Sequence, residues 1–565
     1  MSSMSQYSRR KFLSASAVAA GVGVVGQATS AHAQSSGSSV DEFFGSSQKL
    51  EPTSNPGVEI PFGHGVASGD PTDSAVILWT RVTPTPEALP GSGVGDPVTV
   101  EWTVARDEAL ADVVASGTAE TSAAIDHTVH VDATGLEPNT VYFYGFRVAD
   151  GEHAGKTSPV GRTWTAPAAG AKTEHLNAVV ASCANWESGF FSAYRDISAR
   201  ARAGEIDLVI FLGDYIYEYG RGEYVGKRGA VRNHEPAHEI LDLTDYRVRY
   251  GTYRTDAHLQ AAHGACPWVV VWDDHEVANN AWRDGAENHT EGAEGRWVAR
   301  RQAAMQAYYE WLPIRATSPS VGGKLYRKLA FGDLVDLTMM DLRTYRDEEQ
   351  SFGDWVSGNL NETMMGSEQF GWVAEQARNS KARWLVLGNS IMFSPMTLLG
   401  LRQNPDTSSV ADFLSGRTGD GLPLNGDQWD GYSAERDRLL DVLDGIDPNI
   451  LFVTGDIHSE WAHSVRHDGH EIGAELICSS ISAPNVDEIL KLPVDNALSQ
   501  AAESVLRHEN PHIQHVDLDA HGYALAEITP DHVDMSWMRV ADLNSPDSAV
   551  NEALRMRFTP GHGWS

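Results

Sequence analysis

Three cysteines in 565 residues cannot staple a chain of this length. Cys183, Cys266 and Cys478 are an odd, sparse set, so a disulfide framework is excluded and stability has to come from a core and from bound metal. Cations are scarce as well. Lys and Arg number 43 against 77 Asp and Glu, and the formal net charge of −34 repels nucleic-acid backbones and anionic membrane surfaces. A phosphate-type substrate then needs strong local positive charge, for which metal ions are the obvious source. No apolar run is long enough to act as a permanent transmembrane anchor, there is no internal repeat, and no convincing Gly-x-Ser-x-Gly elbow offers a serine nucleophile. What is plentiful is core material: 41% of residues are apolar and 16 are Trp, which excludes disorder as the dominant state.

The chain opens on an export pattern. Ser8-Arg9-Arg10-Lys11-Phe12-Leu13 precedes a weakly apolar run over residues 15–26, and Ala31-His32-Ala33 supplies a small-x-small cleavage site. Paired arginines followed by Phe-Leu resemble the twin-arginine signal. Residues 1–33 are therefore expected to address the protein to the twin-arginine translocation machinery and leave it secreted or associated with the cell envelope. Loss of Arg9, Arg10 and Lys11 with that segment takes the net charge to −37. This route carries folded proteins, so a tightly held metal can be loaded before export.

Residues 34–58, rich in Ser and Gly without an apolar period, read as a tether. Over 59–167 alternating strands at 76–82, 98–104, 127–131 and 140–148 are separated by Gly, Pro and Asp turns, the pattern of a small all-β sandwich of immunoglobulin or fibronectin type. Leu136-x-Pro138-Asn139-Thr140-x-Tyr142 looks like the corner ahead of a late strand in such modules. A small-residue linker at 165–171 follows. From 168 to 565 strands alternate with helical stretches such as 190–203 and 296–309, an α/β signature. Residues 246–254 read as one helix packing its rings, with an arginine that reaches the substrate as the alternative, and the Gly-, Asp- and Asn-rich segment 401–432 reads as a lid or as a plain solvated excursion.

Four apolar, β-prone stretches stop on a metal-binding or acid–base side chain: 177–183 on Cys183, 208–214 on Asp214, 268–276 on Asp273-Asp274-His275-Glu276, and 450–458 on Asp456-x-His458. Strands apolar on both faces belong inside a covered sheet, and ligands sit beyond one common strand end. Brought together there, with the Tyr217 phenol one turn after Asp214, these groups make a polynuclear metal site. Phenolate, thiolate and imidazole favour a transition metal, while carboxylate and amide oxygens favour a hard cation such as calcium. Each residue also has a plainer role. Cys183 can be a small buried hydrophobe, Asp214 and Asp456 helix caps, His275 a structural partner of Glu276 or Asp273, and Asn389 a satisfier of backbone at a strand end. Cys266, Cys478, His64, His263, His512, His515 and His521 read as structural.

Five segments in order carry a family resemblance: Phe62-Gly63-His64-Gly65-Val66-Ala67-Ser68-Gly69-Asp70-Pro71, Ala181-Ser182-Cys183, Leu212-Gly213-Asp214-Tyr215-Ile216-Tyr217-Glu218-Tyr219, Trp272-Asp273-Asp274-His275-Glu276-x-x-Asn279-Asn280, and Asp427-Gln428-Trp429-Asp430-Gly431-Tyr432. From about residue 60 onward the chain resembles the PhoD-like alkaline phosphatases, purple-acid-phosphatase-like metallophosphoesterases with phospholipase D enzymes as siblings. The resemblance implies a layered α/β/β/α catalytic domain behind the sandwich. It also implies hydrolysis of a small phosphate ester at a ferric iron–calcium (Fe3+, Ca2+) centre, with metal-bound hydroxide as the nucleophile. Carried over residue by residue, Cys183, Asp214, Tyr217 and His458 hold iron, and calcium shares Asp214 and takes Asp274, Asn389 and Asp456. Asp273 and Asn280 hold a further calcium, or Asn280 touches the phosphate. His275 donates a proton to the leaving group or a hydrogen bond to a phosphoryl oxygen. The sequence departs from the superfamily in having Asp456 where many members have His, and Asp274 where Asn is usual. Two rival readings stand beside this one: a phosphodiesterase of phospholipase D type, and a surface binding protein stabilised by metal.

Overall fold

The structure, a computed structural model, describes residues 59–317, 321–349, 362–396 and 426–565. The export signal, the tether and most of the 401–432 segment lie outside the described residues. One layer of the N-terminal sandwich is β1 (Val66–Gly69), β2 (Ala75–Arg81) and β5 (Thr128–Thr134). The other is the antiparallel sheet of β3 (Val98–Ala105), β4 (Val113–Thr121), β6 (Val141–Val148) and β7 (Gly161–Trp164). Val76, Leu78, Val129 and Val131 meet Val100, Val104, Tyr144 and Phe146 between them, the alternate residues of each strand as the two-residue period requires. The expected corner is present: the Glu137 backbone N–H donates to the Tyr142 hydroxyl over 3.0 Å.

The sandwich does not stand apart from the α/β region. β1 pairs in parallel with β10 (Trp268–Val271), which pairs with β9 (Leu208–Leu212), and that with β8 (Leu176–Ala181). The inner layer of the sandwich is thus the continuation of a ten-stranded sheet. Its far side is closed antiparallel by the hairpin β18 (Gly522–Ile528) and β19 (Val533–Val540), then β20 (Val550–Thr559) and β21 (Gly563–Trp564).

A second, seven-stranded sheet lies against the first. Its parallel centre is β12 (Val335–Met339), β13 (Trp384–Asn389), β14 (Asn449–Thr454) and β16 (His470–Ile477), flanked by β11 (Arg327–Phe331), β15 (Glu460–His467) and β17 (Ile513–Asp517). Its continuous apolar runs are explained by two faces that both need cover. Trp384, Val386, Leu451 and Val453 enter the core between the sheets. Leu385, Leu387, Ile450 and Phe452 enter a second core with Val373 and Leu439. Outside the first sheet lie α1 (Ser192–Arg202), α2 (Leu243–Tyr253), α3 (Ala257–His263) and α4 (Trp297–Trp311); outside the second lie α5 (Gly366–Asn379) and α6 (Ser433–Leu443). The layers are α/β/β/α. No helix among the described residues is long and apolar enough to cross a membrane.

Burying histidine neutral makes part of this stability pH-dependent. Burial first, then the guanidinium groups of Arg249 and Arg221, hold His234 down to about 2. The unfolded chain takes up that proton near pH 6.5, so stability present above 6.5 is lost as pH falls toward the folded value, at about 1.4 kcal/mol per pH unit. Between pH 6.5 and about 4.5, the urea-unfolding free energy of His234→Gln is expected to fall by about 2–3 kcal/mol less than that of the unmodified chain. Parallel profiles would contradict this.

Candidate active site

All four of the sequence-marked strands end at one rim. Cys183 follows β8, Asp214 follows β9, Asp273-Asp274-His275 follow β10, and Asp456 and His458 follow β14. A bridge between Ser182 and Ser480 ties the two sheets together there. Sharp turns after each strand aim the side chains inward. Cys183, Asp214, Asp456 and His458 all have positive φ, at 61°, 57°, 67° and 55°, a left-handed backbone that costs non-glycine residues energy and concentrates at functional sites. Gly455, between β14 and Asp456, sits so close to β8 that a Cβ would lie 2.7 Å from Ser182 Oγ.

The first donor group is mixed. Asp214 Oδ2 lies 3.4 Å from Cys183 Sγ and 3.0 Å from the Tyr217 hydroxyl, which is 3.2 Å from His458 Nε2; that nitrogen is 3.9 Å from Asp214 Oδ2. Bonds of about 2.0–2.3 Å to one ion place neighbouring donors roughly 3–4 Å apart, so thiol, carboxylate, phenol and imidazole fit a single transition metal. Burial first, and then the Asp214 and Asp456 carboxylates, raise the Cys183 thiol well above its usual range. A cation at this point reverses that balance and makes the thiolate available.

The second group is anionic. Asp214, Asp273, Asp274 and Asp456 bring oxygens within 4.8 Å of one another, all buried. Carboxylates packed in this way require cations. One comes from the chain itself. Arg343 donates from Nε and Nη2 to Asp273 at 2.6 and 3.1 Å and from Nη1 to Asp427 at 2.9 Å, and lies 3.7 Å from Asp274. Arg346 brings a second guanidinium to Asp427, with Nη2 2.7 Å from Oδ1. Two guanidiniums against the five carboxylates of Asp214, Asp273, Asp274, Asp427 and Asp456 still leave the group short of positive charge, which suits a hard divalent ion.

The remaining sequence-marked residues fall around these two groups. His275 brings a ring nitrogen within 4.8 Å of oxygens of Asp214 and Asp274, and its Nδ1 is 2.6 Å from Glu218 Oε2. Burial acts to depress it, but Asp274, Glu218 and Asp214 outweigh that and raise it to about 10. Asn280 donates its backbone N–H to Asp274 Oδ2 over 2.6 Å, and its own Oδ1 is buried without a hydrogen bond among the described residues, as an oxygen meant for a cation or a substrate would be. Asn389 ends β13, where its Oδ1 accepts from Trp429 Nε1 over 2.9 Å; the second lone pair of that oxygen is what a calcium would use. Asp273 is engaged by Arg343 and by Ser390 Oγ at 2.9 Å. Gln428 Nε2 donates to Asp456 Oδ2.

Sequence reasoning passed over the supporting shell. Glu276 accepts the backbone N–H groups of Asp214, Tyr215 and Asp273 at 3.0, 2.5 and 2.8 Å, locking the ends of β9 and β10 together. Arg249 of α2 donates to the carbonyls of Tyr217 and Tyr219, behind the phenol. Arg343 follows the buried run 334–340 as the ligands follow theirs, so the same strand-end rule points to it once cations are sought as well as anions.

The profile described as PhoD-like phosphatase matches residues 178–537, and that of the PhoD-like phosphatase N-terminal domain matches residues 47–167. Alkaline phosphatase D of Bacillus subtilis (strain 168) is 38% identical over 506 residues, covering 87% of this chain and 79% of that protein. A solved structure described as "Structure of PhoD" superposes with a TM-score of 0.77 at 35% identity, covering 90% of this chain and 93% of the other. A purple acid phosphatase from yellow lupin (Lupinus luteus) seeds, at 10% identity, shares the fold with a TM-score of 0.50 over 87% of this chain and 75% of its own. The chain belongs to the PhoD-like phosphatase family.

Proposed function

We propose that this chain is an exported alkaline phosphatase that hydrolyses small phosphate esters at a ferric iron–calcium centre. The observation that carries the reading is the convergence of Cys183, Tyr217 and His458 on Asp214 Oδ2, at 3.4, 3.0 and 3.9 Å, beside a buried group of four aspartates. Cys183, Asp214, Tyr217 and His458 are assigned to iron, and Asp214, Asp274, Asn389 and Asp456 to calcium. Asp273 and Asn280 are assigned to a further calcium or, for Asn280, to the phosphate. Bound there, the cations neutralise the phosphoryl oxygens and make hydroxide available at working pH. His275 donates a proton to the departing ester oxygen, and Asn280 orients the phosphoryl group. The N-terminal pattern with Arg9 and Arg10 supports export by the twin-arginine route, with a sandwich over 59–167 and a catalytic domain over 168–565.

The two ions differ in how firmly they are held. Oxygen ligands release calcium more readily than thiolate, phenolate and imidazole release ferric iron. Brief treatment with a calcium chelator is expected to lower turnover of p-nitrophenyl phosphate on the order of 100-fold or more, with iron retained and activity restored by calcium. Unchanged turnover after calcium is removed contradicts the reading. Faster turnover of bis(p-nitrophenyl) phosphate than of the monoester assigns the site to the phospholipase D type instead.

A further inference from the structure

We infer that Gln428 and Trp429 are the positioning residues for the calcium half of the centre; the inference rests on the assignment of Asn389 and Asp456 to calcium above. Both are buried, and both lie in the segment 427–432, which passes through one 3-10 turn (Trp429–Tyr432) into α6. Each donates one hydrogen bond to one of the two assigned ligands. Gln428 Nε2 donates to Asp456 Oδ2, and Trp429 Nε1 donates to Asn389 Oδ1 over 2.9 Å.

Donor and acceptor chemistry leaves each contact one arrangement. The Met392 backbone N–H can only donate, so the Gln428 atom it meets is Oε1 and the NH2 of that amide has to face Asp456. The indole N–H can only donate as well, so the Asn389 atom it meets is the oxygen. At its other end Asn389 Nδ2 donates to the Ile391 carbonyl and to Thr454 Oγ1, the latter over 3.1 Å. Thr454 can accept because its own hydroxyl donates to Glu475 Oε1 over 2.8 Å. Both amides are thereby held against a flip, which in Asn389 would offer a cation an N–H in place of an oxygen.

The segment itself is anchored. The Trp429 backbone N–H donates to the Met392 carbonyl over 3.3 Å, its ring packs edge-on against Phe393 at 5.3 Å between centroids, and Asp427 accepts from Arg343 and Arg346. Partners of this kind decide how firmly a ligand is presented to an ion. With Gln428 and Trp429 in place the two ligands are oriented before the ion arrives; without them, binding has to supply that ordering.

Gln428→Met and Trp429→Phe remove the donors and keep most of the volume. In each, the calcium dissociation constant of iron-loaded, calcium-stripped protein, read by calorimetric titration with calcium chloride, is expected to rise about 10–100-fold. Iron content stays unchanged, and saturating calcium restores kcat to within a few-fold of the unmodified chain. Tyr432→Phe is the control within the same segment: its hydroxyl donates to the Asp347 carbonyl over 2.8 Å, so its loss leaves calcium affinity as it was. If both variants bind calcium as tightly as the unmodified chain, the inference is overturned; weakening in only one overturns the role of the other residue. Loss of iron together with calcium, or equal weakening in Tyr432→Phe, overturns it too, because the defect is then general. If the unmodified iron-loaded chain takes up no calcium, the calcium assignment itself fails and the inference falls with it. Should Trp429→Phe not fold, Gln428→Met decides alone.

Discussion

Asp214→Asn is expected to lose both metals and at least about 1,000-fold of turnover, yet to be more stable than the unmodified chain when both are metal-free. The two halves have one cause. Asp214 lies in both donor groups, with Oδ2 beside Cys183 and Tyr217 and its carboxylate among Asp273, Asp274 and Asp456. Asparagine keeps the shape and one carbonyl-type acceptor. It removes the charge that the two proposed ions would share and relieves the repulsion between Asp214 and the buried carboxylates of Asp273, Asp274 and Asp456. Thermal melts of metal-free and loaded forms check this directly: the variant melts higher without metal, and the loaded unmodified chain melts higher than either. A metal-free variant that melts lower than its parent contradicts the view that cations hold this acidic group together.

Gly213→Ala is expected to dismantle the site from its backbone. Gly213 has φ of +97°, and a Cβ on it would lie 2.4 Å from the Asp273 backbone nitrogen and 2.5 Å from Asp273 Cβ. The ends of β9 and β10 can approach closely enough to share Glu276 only because that Cβ is missing. Gly222 is the control: it has φ of +74° with nothing within 4 Å of an added Cβ, so Gly222→Ala reports backbone strain alone, about 1 kcal/mol. Overpacking and strain together put Gly213→Ala at roughly 3 kcal/mol or more, with loss of metal because Asp214 and Asp273 are pushed apart. Equal destabilisation by the two substitutions, measured by chemical unfolding, would show that the close approach of the two strands is not what Gly213 secures.

Much of this site could be read from the sequence because parallel strands leave a sheet at the same end. Once 177–183, 208–214, 268–276 and 450–458 are recognised as buried strands, their last residues have to be neighbours. The left-handed backbone at Cys183, Asp214, Asp456 and His458 could not be read in that way, since none of the four is glycine or asparagine and the conformation is imposed by loops packing from both sheets. Arg343 was hidden for a different reason. A search for metal ligands looks for anions and soft donors, whereas a buried acidic group also recruits a cation from the chain. The continuity of sandwich and catalytic sheet rests on β1, four residues in a Gly-rich stretch too short to show a period, and only its pairing with β10 defines it. β20 was missed because its exposed positions carry Glu552, Arg555 and Arg557, which read as solvated surface. In the fold it lies between β19 and the two-residue β21, and its arginines grip Asp534 of β19.

The central claim is that a thiol, a carboxylate, a phenol and an imidazole drawn from distant parts of the chain close around one ferric ion. Elemental analysis with the visible spectrum of protein exported through the twin-arginine route, set beside Tyr217→Phe, tests it most directly. The account predicts one iron per chain with calcium, and a visible tyrosinate-to-iron band that disappears in Tyr217→Phe. A colourless protein without iron, or a band that survives loss of the Tyr217 hydroxyl, would contradict it.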